Sequence, residues 1–433
     1  MRKPLVLIVA LFTSALASTP LTAAAPKFSF SSPEAITLPE GYGGVIAIGD
    51  VNGDGKTDLL TDGGLLWGNG KGGFTPSGID ESALLHPNTT NPVSFPFPMV
   101  DLDGDGHLDF VQLVHGLFDP DHCDDTGDSL NIFLGDGKGH FTFKASYSLN
   151  KSDIDTAVVG DFTKDGKPDL ALIGLSTDPC AYPGDAHQFA IVTVLKNLGG
   201  GNFSPSFFNE DTLQATGSAV GWNAGATTLQ IGDFNGDGKL DLAFTGYKQQ
   251  DTGTILENDV QVLYGNGDGT LREGTFYLLD SAPSALFAAE LNGDKRTDLV
   301  VSLAARHAAG AEPRVATLLA KDTGNFSWQS AVSHKDTWSE VDTSAVGGSL
   351  VDLNGDGKLD APFWDNRGSS STSELEILGG EGAGTFAPPA AFSVGKSPTS
   401  IRAIQLVKGG AIDMLVETAG STSTTESLLI NKE

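Results

Sequence analysis

A nine-residue phrase that recurs at near-regular intervals constrains this chain more than any other feature. Its first copy is Asp50-Val51-Asn52-Gly53-Asp54-Gly55-Lys56-Thr57-Asp58, and it returns at Asp101–Asp109, Asp161–Asp169, Asp233–Asp241, Glu290–Asp298 and Asp352–Asp360. An eroded seventh copy fits Gln405–Asp413, keeping the final Asp and its apolar neighbours. Successive copies start 51 to 72 residues apart. A period of this size marks a repeat architecture, in which each unit buries its apolar face against its neighbours.

The flanks of each copy give the secondary structure. A short apolar run precedes it, such as Val45-Ile46-Ala47-Ile48 or Thr228-Leu229-Gln230-Ile231, and another follows, such as Leu59-Leu60 or Leu170-Ala171-Leu172-Ile173. A third run then leads through a Gly-rich turn to an aromatic residue, as in Asn131-Ile132-Phe133-Leu134 to Phe141 and Leu375-Glu376-Ile377-Leu378 to Phe386. Short β-branched and aromatic runs punctuated by Gly, Asp and Asn predict strands, and no long segment of helical period competes. The 55 glycines, about one residue in eight against a usual share of roughly 7%, fit a chain with this many turns. Four strands per repeat, repeated radially, predict an all-β fold: a seven-bladed β-propeller of four-stranded antiparallel blades. It would occupy residues 26–433, with about 58 residues per blade. The chain ends in a third-strand pattern, Ser427–Ile430, while Lys27-Phe28-Ser29-Phe30 matches His140-Phe141-Thr142-Phe143. The expectation is therefore that the N-terminal strand pairs with the last blade and closes the ring, removing an open edge. A linear solenoid of the same repeats is the alternative.

The phrase offers side-chain oxygen at positions 1, 3, 5 and 9 and a backbone carbonyl at position 7. Hard oxygen donors on alternate residues of a tight turn suit Ca²⁺, which takes six to eight oxygens at about 2.3–2.6 Å. The predicted ligands are Asp50, Asn52, Asp54 and Asp58 with the Lys56 carbonyl, then Asp101, Asp103, Asp105 and Asp109 with that of His107. The third set is Asp161, Thr163, Asp165 and Asp169 with Lys167, and the fourth is Asp233, Asn235, Asp237 and Asp241 with Lys239. The fifth is Glu290, Asn292, Asp294 and Asp298 with Arg296, and the sixth Asp352, Asn354, Asp356 and Asp360 with Lys358. About four to six ions are expected. The third copy departs from the pattern at Thr163 and Lys164, and the fifth at Glu290 and Lys295. The Gln405 copy, with Val407 and Gly409 at positions 3 and 5, is expected to hold none.

An EF-hand begins similarly but requires a bidentate Glu at position 12, where this chain has Thr61, Gln112, Leu172, Phe244, Val301 and Phe363. Plain hairpin turns would explain the glycines and position 5. They would not explain acids at positions 1 and 9 in six copies, because massed carboxylates without a cation repel one another.

The phrase and its flanks resemble FG-GAP/VCBS repeats, the units of the integrin α-subunit propeller and of many bacterial secreted proteins. The resemblance spans nearly all of the chain after its first 25 residues. It implies a seven-bladed propeller with Ca²⁺ in the loop joining the first two strands of a blade, and says little about activity.

Residues 1–17 read as a secretory signal, with Arg2 and Lys3, an apolar run over Leu5–Leu16 and the small-x-small site Ala15-Leu16-Ala17, and residues 18–25 as a short linker. The expected location is secreted or periplasmic. No stretch is long enough to insert in a membrane. The net charge of −29 argues against nucleic acid and against anionic membranes. Export would place Cys123 and Cys180 in an oxidising compartment, and they fall in equivalent loops of adjacent blades, so one disulfide is expected.

If the nine-residue loops join strands one and two, the segments joining two to three emerge on the opposite face. These vary most in length, and variable loops on a rigid scaffold are the usual place for recognition. They carry His122, Tyr182, His187, Tyr247, Arg306, Trp364 and Arg367 as candidate ligand-face residues, with Tyr182, Tyr247 and Trp364 able to stack on sugar rings. Catalytic motifs such as His-Glu-x-x-His and Gly-x-Ser-x-Gly are missing. Gly68–Gly73 satisfies Gly-x-Gly-x-x-Gly, but no helix follows, so it is a turn. Asn88, Asn202 and Asn325 begin glycosylation sequons. The functional expectation is a monomeric recognition or adhesion module for an extracellular glycan or protein. The alternative is a Ca²⁺-dependent polysaccharide lyase or hydrolase.

Overall fold

Alternating and continuous apolar runs cut short by Gly, Asp and Asn can only make short strands, and the described residues contain strands and turns with no helix. The computed structural model describes residues 27–432 apart from 37, 40–41, 43, 80–98, 115–117, 120–123, 126–127, 150–151, 177–189, 205–227, 250–254, 304–313, 322–323, 330–331, 334–337, 341–349, 366–371, 397 and 420–423. No helix among them is long and apolar enough to cross a membrane.

Among the described residues, seven antiparallel sheets of three to five strands form the blades of a propeller, and three two-stranded hairpins accompany them. The first blade runs Val45–Gly49, Asp58–Thr61, Gly64–Gly68, Phe74–Pro76 in simple meander order. The second contains Phe110–Val114, Ser129–Gly135 and Phe141–Ser148, and at its innermost position the described residues show a bridge between Val100 and Asp109. The third contains Ser152–Gly160, Asp169–Ser176 and Ala190–Leu195, followed by a small hairpin of Asn197–Gly199 with Asn202–Phe203. The fourth is Leu229–Gly232, Asp241–Gln249, Ile255–Gly265 and Leu271–Leu279. The fifth is Pro283–Ala289, Asp298–Leu303, Arg314–Ala320 and Phe326–Trp328, and the sixth Trp338–Glu340, Ala361–Asp365, Thr372–Leu378 and Ala390–Lys396. The seventh is Pro398–Ile404, Asp413–Ala419 and Thr424–Leu429, with Glu34–Ile36 from the N-terminal region as its outer strand. That outer strand lies beyond the Lys27–Phe30 segment suggested by pattern matching, where a single bridge joins Phe30 to Asn431.

The second strand of each blade is buried on both faces, which is why its sequence reads as a continuous apolar run. Leu170, Ala171, Leu172 and Ile173 are all 0% exposed. The core is divided among the seams between blades. Ala47, Leu60 and Leu65 of the first blade meet Phe110 and Phe133 of the second. Phe162, Ala171 and Ile173 of the third meet Leu242, Phe244 and Leu263 of the fourth. Ile404, Leu415 and Leu428 of the seventh meet Val45, Leu59 and Leu66 of the first, so the two end blades share one apolar cluster. A linear solenoid would leave those two surfaces wet.

Because each seam is a separate apolar layer, truncating one large seam residue should destabilise the protein strongly. Phe244→Ala, at a site with 0% exposure, should cost about 3–5 kcal/mol. Phe276→Ala, on an outer strand at 43% exposure, should cost far less; chemical denaturation of both variants checks this.

Candidate metal centres

The seven nine-residue segments all connect the first strand position of a blade to the second, so they gather at one end of the propeller. Each turn is capped by its own side chains. In the first copy Asp50 Oδ1 accepts the Asp54 N–H (3.0 Å) and Oδ2 that of Gly55 (2.9 Å). Asn52 Oδ1 accepts the Asp54 N–H (2.9 Å), and Asp54 Oδ1 accepts the Lys56 N–H (2.9 Å). The same arrangement recurs at Asp161, Asp233 and Asp352. Short acceptors bonding two to five residues ahead bend the chain tightly without outside help. The backbone must turn left-handed at Gly53 (φ 73°) and Gly55 (φ 81°). The third and fifth copies place Lys164 (φ 59°) and Lys295 (φ 68°) in that conformation, at a cost of about 1 kcal/mol or more each.

Position 9 behaves differently. Asp58, Asp169, Asp241, Asp298 and Asp360 are 0% exposed and Asp109 is 1% exposed. One carboxylate oxygen of Asp58 accepts the Val51 N–H at the start of its loop (3.2 Å), and the other accepts the Gly68 N–H at the end of the third strand (2.9 Å). Asp109 does this with Leu102 and Gly135, Asp241 with Phe234 and Gly265, Asp298 with Leu291 and Ala320, and Asp360 with Leu353 and Gly380. Asp169 reaches Thr163 and Asn197. The eroded copy keeps the strand contact, Asp413 accepting the Asn431 N–H at 2.8 Å. The final acid is therefore a clamp between loop and third strand as well as a candidate ligand. Burial pushes the carboxyls of Asp58, Asp109, Asp298, Asp360 and Asp413 up to about 6 and that of Asp241 to about 7, against the pull of these N–H donors. In the linear sequence position 9 reads only as a ligand; its persistence in the eroded copy, where positions 3 and 5 are lost, is the signal for the second role.

The residue receiving that clamp packs against the carbonyl at position 8. A Cβ on Gly68 or Gly135 would overlap the Thr57 or Leu108 carbonyl oxygen. Where Asn stands there instead, its amide reaches the preceding blade: Asn197 Nδ2 donates to the Leu102 carbonyl (2.7 Å) and Asn431 Nδ2 to that of Leu353 (2.8 Å).

The donor chemistry fits a hard cation. Oxygens around one Ca²⁺ lie no more than about 5 Å apart. In the second copy, carboxylate oxygens of Asp101, Asp103 and Asp109 all lie within 4.8 Å of one another, the one group of three acidic residues among the described residues to converge so closely. In the other five complete copies a basic side chain at position 7 stands beside the position-5 carboxylate. Lys56 Nζ is 2.7 Å from Asp54, Arg296 Nη2 is 3.1 Å from Asp294, Lys239 is 3.5 Å from Asp237, Lys358 is 4.0 Å from Asp356, and Lys167 pairs with Asp165. The eroded seventh loop docks on the first: Thr57 N–H donates to the Leu406 carbonyl (3.1 Å) and Lys408 N–H to that of Gly55 (3.0 Å).

At the same end, a cleft of about 310 Å³ separates the fifth loop from the sixth blade, between Glu290–Gly293, Gly357–Leu359 and Gly380–Phe386. The expected ligand face is described only in part. His122, Tyr182, His187, Arg306 and Arg367 lie outside the described residues, as do Cys123 and Cys180. Tyr247 is in strand Asp241–Gln249, paired with Asn258. Trp364 corrects the expectation: it is 6% exposed and packs among Leu375, Ile401 and Met414 in the seam between the sixth and seventh blades, so its ring offers no open face to a sugar.

An FG-GAP-like repeat family model matches residues 116–172, which run from the second blade through the whole third nine-residue loop. No curated protein matches the chain significantly.

The seventh loop, where no cation is expected, isolates the energetics of the clamp. The Asp413 carboxyl is raised above its unfolded value, so the folded state binds the proton more readily, and its ionisation removes stability as pH rises through about 4 to 6. Asp413→Asn keeps an acceptor for Asn431 and removes that charge. The variant should be more stable than the parent by the order of 1–3 kcal/mol above pH 6, and the gap should close below pH 4. Paired melting curves across that range read the difference.

Proposed function

We propose, for a chain that is an FG-GAP-like repeat protein resembling the integrin α-subunit propeller, the role of an exported, monomeric, calcium-stabilised recognition module that binds an extracellular glycan or protein. The observation that carries the calcium part is the convergence of Asp101, Asp103 and Asp109 within 4.8 Å in a turn already bent for them. Asp50, Asn52, Asp54 and Asp58 and their counterparts in the third to sixth loops would hold the remaining ions, four to six in all. The ion would supply the positive charge that a buried acid at position 9 and its acidic neighbours lack, fastening each turn to its blade. It would act as structural glue rather than as a reagent.

Recognition is assigned to the end opposite the nine-residue turns. The link between second and third strands is only Asp62–Gly63 in the first blade. It runs over residues 177–189 in the third and 304–313 in the fifth. Connecting segments of differing length and sequence on a rigid scaffold suit a binding surface. Export through residues 1–17 and a bridge between Cys123 and Cys180 complete the reading, the bridge pinning two of these loops. A mass measurement with and without reductant tests the bridge directly.

Ions that bind only the folded state stabilise it by mass action, about 2.7 kcal/mol at a hundredfold excess over Kd. Excess chelator should lower Tm by several degrees, and Asp54→Ala and Asp237→Ala should each lower the bound calcium by about one ion. An unchanged melting curve in chelator rules out structural calcium. A glycan array run beside a polysaccharide turnover assay tests the binding role; turnover of any substrate overturns it.

A further inference from the structure

One motif makes six loops look alike, but the charges standing around them differ. The second loop holds four carboxylates, Asp101, Asp103, Asp105 and Asp109, and no Lys or Arg. The first, fourth and sixth each hold three carboxylates and one lysine, Lys56, Lys239 or Lys358. The third and fifth hold three carboxylates and two bases, Lys164 with Lys167 and Lys295 with Arg296. The position-7 base is also braced. Its stem lies against the glycine turn between the third and fourth strands of its own blade, where a Cβ on Gly70 would sit 3.3 Å from Lys56 Cδ and one on Gly267 3.2 Å from Lys239 Cδ. From there the ammonium turns back to the position-5 acid of its loop, at 2.7 Å for Lys56 and Asp54. In the second loop that place is taken by His107, whose ring lies over Gly137, and Asp105 receives the His107 backbone N–H at 2.8 Å.

We propose that the second loop is the high-affinity calcium site of the propeller, and that the position-7 base is a tethered competitor that grades the affinity of the other five. The proposal rests on the calcium reading above and goes beyond it by ranking the sites. An ion entering the first loop must displace Lys56 from Asp54 or share the carboxylate with it. An ion entering the second meets one more formal negative charge and no resident cation. In oxygen-ligand loops affinity rises with ligand charge and with rigidity. One elementary charge at loop distance, partly screened by water, changes affinity by about tenfold. The third and fifth loops come last, having two bases each and a lysine in the left-handed backbone conformation. The fourth joins them, because Lys164 and Arg296 of the neighbouring loops stand against its Gly238 and Gly236. The order is second, then first and sixth, then third, fourth and fifth.

The test is a titration of the full chain, stripped of metal, with Ca²⁺ by calorimetry and with Tb³⁺ by luminescence. The wild type should show one tight ion per chain, followed by weaker ones. His107→Lys leaves every donor oxygen in place and should weaken the tight step about tenfold, part of the way to the middle group, whose loops also have one carboxylate fewer. Lys56→Gln should do the reverse and tighten one ion of the middle group about tenfold, to a step between the tight ion and the rest. If no ion binds the wild type, the calcium reading itself fails. If ions bind with one uniform affinity, or if Lys56→Gln leaves the titration unchanged, the ranking fails while the calcium reading stands. Melting curves in chelator confirm that both variants are folded; should His107→Lys fail to fold, the Lys56→Gln titration decides alone.

Discussion

A buried carboxylate that ends each turn holds this propeller's blades in register. Asp58 joins the start of its loop to the end of a third strand through two buried backbone donors, and its counterparts in the next five loops make the same pair of bonds with buried or half-buried donors. An unpaired buried N–H costs about 1–3 kcal/mol, so the acid stabilises two groups at once. Its own desolvation opposes that gain and drives its carboxyl upward. The interaction is thus favourable for the chain and unfavourable for the charge. That imbalance is what a cation held by the same loop would relieve.

Around this clamp the rest is arranged by seams. Each blade alone is a few short strands, too small to bury a core of its own. Seven apolar clusters lie between neighbouring blades, and the last of them joins the seventh blade to the first. The two Asn residues that replace glycine at the strand-end position, Asn197 and Asn431, use their amides to tie their blades to the preceding loop. The eroded seventh loop takes a comparable part, lying on the first loop with backbone bonds of its own. A loop that has lost its acids at positions 3 and 5 has become a spacer between neighbours.

The architecture was legible because its determinants are local and repeated. Seven copies of one phrase, flanked by runs of period two or of continuous apolar character, leave few folds to choose from, and the blade count and the loop position followed. The candidate site was legible in its donors but not in its neighbours. Nothing in the linear order shows that Lys56 would return to Asp54 across the Gly70 turn, or that Asp58 would face the Gly68 N–H. Trp364 shows the same limit from the other side. An aromatic two residues before a polar turn reads as a loop residue, whereas three-dimensional packing folds it into a seam with Ile401 and Met414, both remote in sequence.

The sequence by itself determined the strand content, the number of units and which turns carry massed acids, since each depends only on residues a few positions apart. The tertiary structure alone decided which acids are buried, which basic side chains stand over them, and which residues of the N-terminal region form the outer strand of the last blade. Those outcomes depend on what the neighbouring strand or blade places within a few ångströms, and burial and charge contact are properties of that neighbourhood rather than of the residue. The same phrase therefore yields one tight cluster at Asp101, Asp103 and Asp109, several guarded ones elsewhere, and a bare clamp at Asp413.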